Sequence, residues 1–144
     1  MPLHLLKLCV GCDSVRDLED WIEENRLHHA RLGRAYEQFH TTRQVPKRAA
    51  ELVDGGSLYW VVKGHIACRQ RLLAVRPFTD ADGIGRCRLV LEPVVRPVES
   101  RPCRPFQGWR YLPAKTAPRD LSPADGGADM PEALRRELAQ LGLL

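Results

Sequence analysis

Apolar and polar positions along the chain change period several times, and each change marks an element. Leu3 to Val10 is a short apolar run, the pattern of a strand, and Gly11-Cys12-Asp13 breaks it. Ser14 then stands where an N-cap belongs, with Asp17 in the capping-box position. Val15, Leu18 and Ile22 repeat at helical spacing, with Trp21 beside Leu18, which predicts a helix from about Val15 to His29. Its other face carries Asp17, Glu19, Asp20, Glu23 and Glu24, and would turn away from a polyanion.

Tyr36 to Thr42, rich in aromatic and β-branched residues, reads as a strand. Pro46 opens a short helix over Lys47–Val53, and Asp54-Gly55-Gly56 stops it. Ser57–Lys63 and Ile66–Val75 are strands joined by a tight Gly64-His65 connection, hence a hairpin. The Asp80–Gly85 turn leads into a third strand over Arg86–Val95. The prolines between 96 and 105 argue against regular sheet there, and Phe106–Leu112 reads as a short edge strand. The resulting domain covers residues 1–112. A polar linker over 113–130 follows, then a helix over 131–144 that would dock through Leu134, Leu138 and Leu141 or serve a partner. There is no internal repeat, and no apolar run long enough to span a membrane. The N-terminal run is too short, and lacks the basic start, for a signal peptide, so a cytoplasmic protein is expected.

Charge changes the picture. Residues 26–119 hold 18 Lys or Arg against 7 Asp or Glu, a net of +11, while residues 1–25 sum to −4 and 120–144 to −3. Aromatics interleave with the cations in Tyr59-Trp60-Val61-Val62-Lys63 and in Phe106-Gln107-Gly108-Trp109-Arg110-Tyr111. Cations beside rings suit a polyanion with stackable bases, which is nucleic acid. Arg outnumbers Lys 18 to 4, a ratio that coding bias or a solvated surface also produces. The segregation of charge along the chain is the more informative feature.

Chemistry-bearing motifs are few. His40-Thr41-Thr42-Arg43-Gln44-Val45-Pro46-Lys47-Arg48 joins a strand to a helix start and gathers hydroxyls and cations fit for a phosphate or carboxylate. Cys9-Val10-Gly11-Cys12 is a C-x-x-C at a strand-to-helix junction, where a redox pair is one reading. A zinc site needs two further ligands, and Cys68, Cys87 and Cys103 offer no matching spacing, so no metal and no cofactor are expected. The five cysteines read as thiols of a reducing compartment. No phosphate-loop, nucleophile-elbow or zinc-protease motif is present.

Several strings resemble a small bacterial family of conserved proteins of unknown function. They are Leu5–Gly11, His40–Arg48, Gly55–Gly64, Arg69-Gln70 and Phe106–Leu112. That resemblance covers nearly the whole chain and implies no activity. Over about residues 36–112, helix, glycine turn, strand, tight turn and strand in that order is more loosely similar to the PUA-like superfamily, with its ASCH and EVE branches. This second resemblance implies an α+β fold: a small mixed β-barrel with an N-terminal, a short internal and a C-terminal helix. It also implies RNA or modified-base binding in a basic cleft. Some ASCH members are amidohydrolases of nucleoside-type substrates, for which Lys47, Thr41 or Thr42, and Glu92 match by residue type alone.

The leading expectation is a non-catalytic nucleic-acid-binding module, for RNA before DNA. Arg43, Lys47, Arg48, Arg69 and Arg110 would contact phosphates, Thr42 would add a hydroxyl, and Trp60 and Trp109 would stack on bases. The alternatives are the small hydrolase and a protein-interaction module using the acidic helix or the C-terminal leucines.

Overall fold

A computed structural model of the chain describes residues 2–121. In order these form β1 (Leu3–Leu8), α1 (Val15–Arg31), β2 (Gln38–Thr42), α2 (Ala49–Val53), β3 (Ser57–Val62), β4 (His65–Thr79), β5 (Gly85–Leu91), β6 (Arg96–Pro102) and β7 (Trp109–Pro113). A 3-10 turn follows at Ala114–Thr116.

α1 begins where its cap residue dictates. Ser14 Oγ accepts a hydrogen bond from the Asp17 amide at 3.1 Å. The Asp17 carboxylate reaches back one residue further than a capping box would, and accepts from the Asp13 amide at 2.9 Å. Val15, Leu18 and Ile22 are buried against the sheet, and the helix runs on to Arg31.

The sheet order is β2-β5-β4-β3-β1-β7. β1 runs parallel to β3, with Lys7 opposite Trp60, and antiparallel to β7, with Lys7 opposite Trp109. The first half of β4 pairs with β3 and, along its other edge, with β6; its second half pairs with β5. A register shift between Leu72 and Ala74 bends β4 where it changes partner. β3 is buried along its whole length because both faces are covered. One face, with Leu58, Trp60 and Val62, joins the core under α1; the other, with Tyr59 and Val61, packs under Val98 and Leu112.

Gly56 has no room for a side chain. A Cβ there would lie 2.2 Å from the carbonyl oxygens of Leu3 and Leu52, so the end of α2 and the start of β1 close on bare backbone.

The expected small mixed β-barrel does not form. β2 and β7 end the sheet, and no ladder joins them. All five residues of β2 pair with β5 and all five of β7 pair with β1, after which the chain turns away on both sides. β7 meets the loop after β2 at a corner, where the Trp109 indole N–H donates to the Gln44 carbonyl at 2.8 Å. The fold is a curled, open, seven-stranded mixed sheet with two α-helices among the described residues, not a small barrel with three. The third helix, expected over 131–144, lies outside the described residues, as does half of the expected linker.

Two local expectations also change. β6 is sheet despite Pro97 and Pro102, which sit opposite Cys68 and His65 across an irregular ladder on an outlying strand. Residues 113–121 are held on the domain: the Leu121 amide donates to the Pro97 carbonyl at 3.0 Å, and Asp120 bridges to Val98.

Candidate functional site

The gap between β2 and β7 is a cleft of about 420 Å³. Its lining includes Lys7, Thr41, Thr42, Arg43, Arg86 and Trp109, and holds three cations and no carboxylate. Lys7 reaches it from inside. It shares a face of β1 with the buried Leu3 and Leu5, and had the sheet closed, its ammonium would be sealed in the core. Burial pushes its pKa below the usual lysine value, the signature of an ammonium short of water. Arg43 is exposed on the loop after β2. Arg86 is half-buried and paired at 2.5 Å with Asp80, whose carboxylate also caps its own turn by accepting from the Asp82 and Ile84 amides at 2.9 Å. Thr42 Oγ donates to the Gln44 carbonyl at 3.1 Å, so that one oxygen receives both Thr42 and Trp109 and fixes the corner of the cleft. Such a site can hold a phosphate or carboxylate.

The outer face of β2, β5 and the end of β4 continues from this cleft. Phe39 and Thr41 lie there opposite Val90 and Arg88, and Phe78 opposite Arg86. The Arg88 guanidinium sits 4.8 Å from the Phe39 ring and 4.6 Å from the Phe78 ring, a layered aromatic–cation–aromatic stack. Phe39 is 40% exposed.

A second cleft, also of about 420 Å³, opens on the other side of His40, between α1, β2 and β3. Cys9, Cys12, Trp21, His40 and Trp60 line it, and no Lys or Arg does. The His40 ring stands edge-on to Trp60 at 5.3 Å. Burial, with a smaller push from the nearby Lys7 ammonium, lowers its pKa to about 4, so at neutral pH the imidazole is uncharged. Among the described residues, no group of three or more His, Cys, Asp or Glu is placed to hold a metal ion.

A family profile described as "Protein of unknown function (DUF1489)" matches residues 5–144. The chain belongs to the DUF1489 family. No curated protein and no solved structure matches it. The match shows a conserved family of unknown function, as the strings around Leu5–Gly11 and Phe106–Leu112 imply; it does not show the PUA-like likeness. Among the described residues of this DUF1489 chain, no helix is long and apolar enough to cross a membrane.

Within the DUF1489 fold the site residues expected from sequence fall into separate groups. Thr42, Arg43 and Trp109 meet at the cleft between β2 and β7. Lys47 and Arg48 are exposed on the same loop but do not line it. Arg48 pairs with Glu51 at 2.5 Å and donates its amide to the Tyr111 hydroxyl at 3.2 Å. Arg110 covers the Phe106 ring at 4.6 Å. Arg69 is committed elsewhere: its guanidinium grips the Asp120 carboxylate through two 2.7 Å bonds and donates to Ser57 Oγ at 2.8 Å. That grip lowers the Asp120 pKa below the usual carboxylate value. Trp60 is a core residue, 3% exposed, with its N–H bonded to Gln70 Oε1 at 2.9 Å. Trp109 is 8% exposed and its N–H is used, so it is a wall and not a platform. Glu92 caps the end of β5, pairs with Arg96 at 3.5 Å and does not line the cleft.

Lys7, Arg86 and Phe39 are the residues that sequence reasoning missed. Lys7 carried a signal, as the one charge inside the apolar run Leu3–Leu8. Arg86 and Phe39 carried none, because their place depends on which strands pair.

Proposed function

We propose that the protein is a non-catalytic nucleic-acid-binding module, for RNA before DNA, that takes strand phosphates in the cleft between β2 and β7. The carrying observation is the lining of that cleft: Lys7, Arg43 and Arg86 with no carboxylate, one of them drawn from the interior. A phosphate there would restore to Lys7 the partner that burial denies it. Thr41, Gln44 and Gln107 supply uncharged polar groups at the rim, suited to a 2′-hydroxyl. The stacking role passes from the two buried tryptophans to Phe39, which is exposed beside Arg88. We place the protein in the bacterial cytoplasm.

A hydrolase reading has less support. The cleft lacks a carboxylate, and Glu92 and Lys47 lie outside it. The test is fluorescence anisotropy with labelled single-stranded RNA, single-stranded DNA and both duplexes at physiological salt. Single-stranded RNA should bind most tightly, and Phe39→Ala should cost about 1–3 kcal/mol of that binding. If all four probes bind no better than they bind polylysine of equal charge, the proposal fails.

A further inference from the structure

The cleft without cations holds a different chemistry. Cys9 ends the apolar run of β1, with its amide donating to the Val61 carbonyl at 2.9 Å. Val10 and Gly11 turn the chain back, Gly11 in the left-handed region at φ 86°, so that Cys12 returns beside Cys9. The Cys12 amide donates to the Cys9 carbonyl at 3.5 Å, and both cysteines are half-buried on the wall of a cleft that a small molecule can enter. The remaining cysteines lack this arrangement. Cys68 and Cys87 are fully buried, and Cys103 sits in a different segment, half-buried, with its thiol directed to the Arg104 carbonyl at 3.6 Å.

We infer that Cys9 and Cys12 form a redox-active dithiol that a peroxide entering the aromatic cleft converts to a disulfide. Cys12 is the attacking thiol and Cys9 the resolving one. Cys12 sulfur attacks the peroxide O–O bond; a hydroxyl group passes to sulfur and the other oxygen leaves as water or alcohol, so Cys12 becomes a sulfenic acid. Cys9 sulfur then displaces that hydroxyl, the S–S bond forms, and the Cys9 proton leaves with it as water. Two thiols are oxidised by two electrons and one O–O bond is reduced. Burial pushes the Cys9 thiol well up, which disfavours Cys9 as the first thiol to attack. Four residues from Cys9 to Cys12, with glycine at the turn, would close a small ring outside the strand pairing of β1. The bridge would alter the cleft it borders, because Trp21, Trp60 and His40 face the same space.

Hydrogen peroxide on the reduced full chain tests this. The tryptic peptide Leu8–Arg16 carries both cysteines. It should lose two hydrogens in mass and regain them with dithiothreitol, and the five titratable thiols should fall by the two in the bridge. Trp21 and Trp60 fluorescence should drop and recover in parallel, without unfolding by circular dichroism. With Cys9→Ser, the sulfenic acid should persist at Cys12 and take up dimedone. The inference is overturned if Leu8–Arg16 keeps both thiols while Cys103 oxidises or cross-links two chains. Dimedone labelling of Cys9 in Cys12→Ser, with none of Cys12 in Cys9→Ser, would overturn the assigned order of attack. Wild-type peptide mapping decides the main point even if a serine variant folds poorly.

Discussion

β2 walls both clefts, yet they are opposite in character. Gln38, Phe39 and His40 border a space lined by tryptophans and thiols, and Thr41 and Thr42 border one lined by Lys7, Arg43 and Arg86. Burial makes the difference. At the first cleft α1 covers the concave face, so a polar group there must be neutral or bonded. His40 is uncharged, and Gln38 is locked to Gln70 by a 2.7 Å bond. At the second, the sheet stops one ladder short of closing, and cations find water or an anion. A basic residue in this fold is therefore informative only with its partners. Arg69 and Arg43 look alike in sequence, but Arg69 is spent on Asp120 and Arg43 faces the cleft.

The comparison can be broken first at Gln70. Its amide serves Trp60, Gln38 and the Glu92 carbonyl, and so holds the back wall of the apolar cleft. Gln70→Ala should destabilise the protein by about 3 kcal/mol in urea denaturation, because it leaves a cavity and deprives the buried Trp60 N–H and Gln38 amide of their partner. RNA affinity of the folded fraction should be retained, since Gln70 does not line the cationic cleft.

The next effect is a pH dependence. His40 titrates near 4 when folded and near 6.5 in an unfolded chain, so the unfolded state binds more protons between those values. Stability should therefore fall as pH drops from about 6.5 to about 4, by about 3 kcal/mol from this residue. His40→Gln should flatten that part of the stability–pH curve. Lys7 links the two clefts: Lys7→Met should raise the His40 pKa, read by its imidazole proton shifts, because the Lys7 ammonium helps to hold it down. An unmoved His40 would separate the clefts electrostatically.

The smallest effect is expected at Arg69. Arg69→Ala should cost about 1 kcal/mol, the value of a partly exposed ion pair, and speed proteolysis at Arg119 as residues 117–121 loosen. RNA affinity should not change. A loss would return Arg69 to the phosphate contacts.

Much of the fold was legible along the chain. Ser14 as cap, the Gly64 hairpin and the Asp80–Gly85 turn are set by neighbours in sequence, and the structure has all three. Which strands end the sheet was not legible, because that depends on whether β2 and β7 pair, some 65 residues apart as Gln44 and Trp109 are. β6 was hidden by prolines that an outlying strand tolerates. The burial of Trp60 could not be read from its own strand, because β3 is buried on both faces and shows no alternation to reveal which side is wet. The partner of Arg69 lies 51 residues away, in a stretch whose composition reads as linker.

The central claim is that the unclosed edge between β2 and β7 binds a polyanion. Its most direct test is the salt dependence of single-stranded RNA affinity for the wild type, Lys7→Met and Arg43→Ala. Log affinity should fall linearly with log salt, and each variant should bind more weakly with a slope shallower by about 0.7, one released counterion per lost contact. Unchanged slopes in both variants, with wild-type affinity retained, would contradict the account.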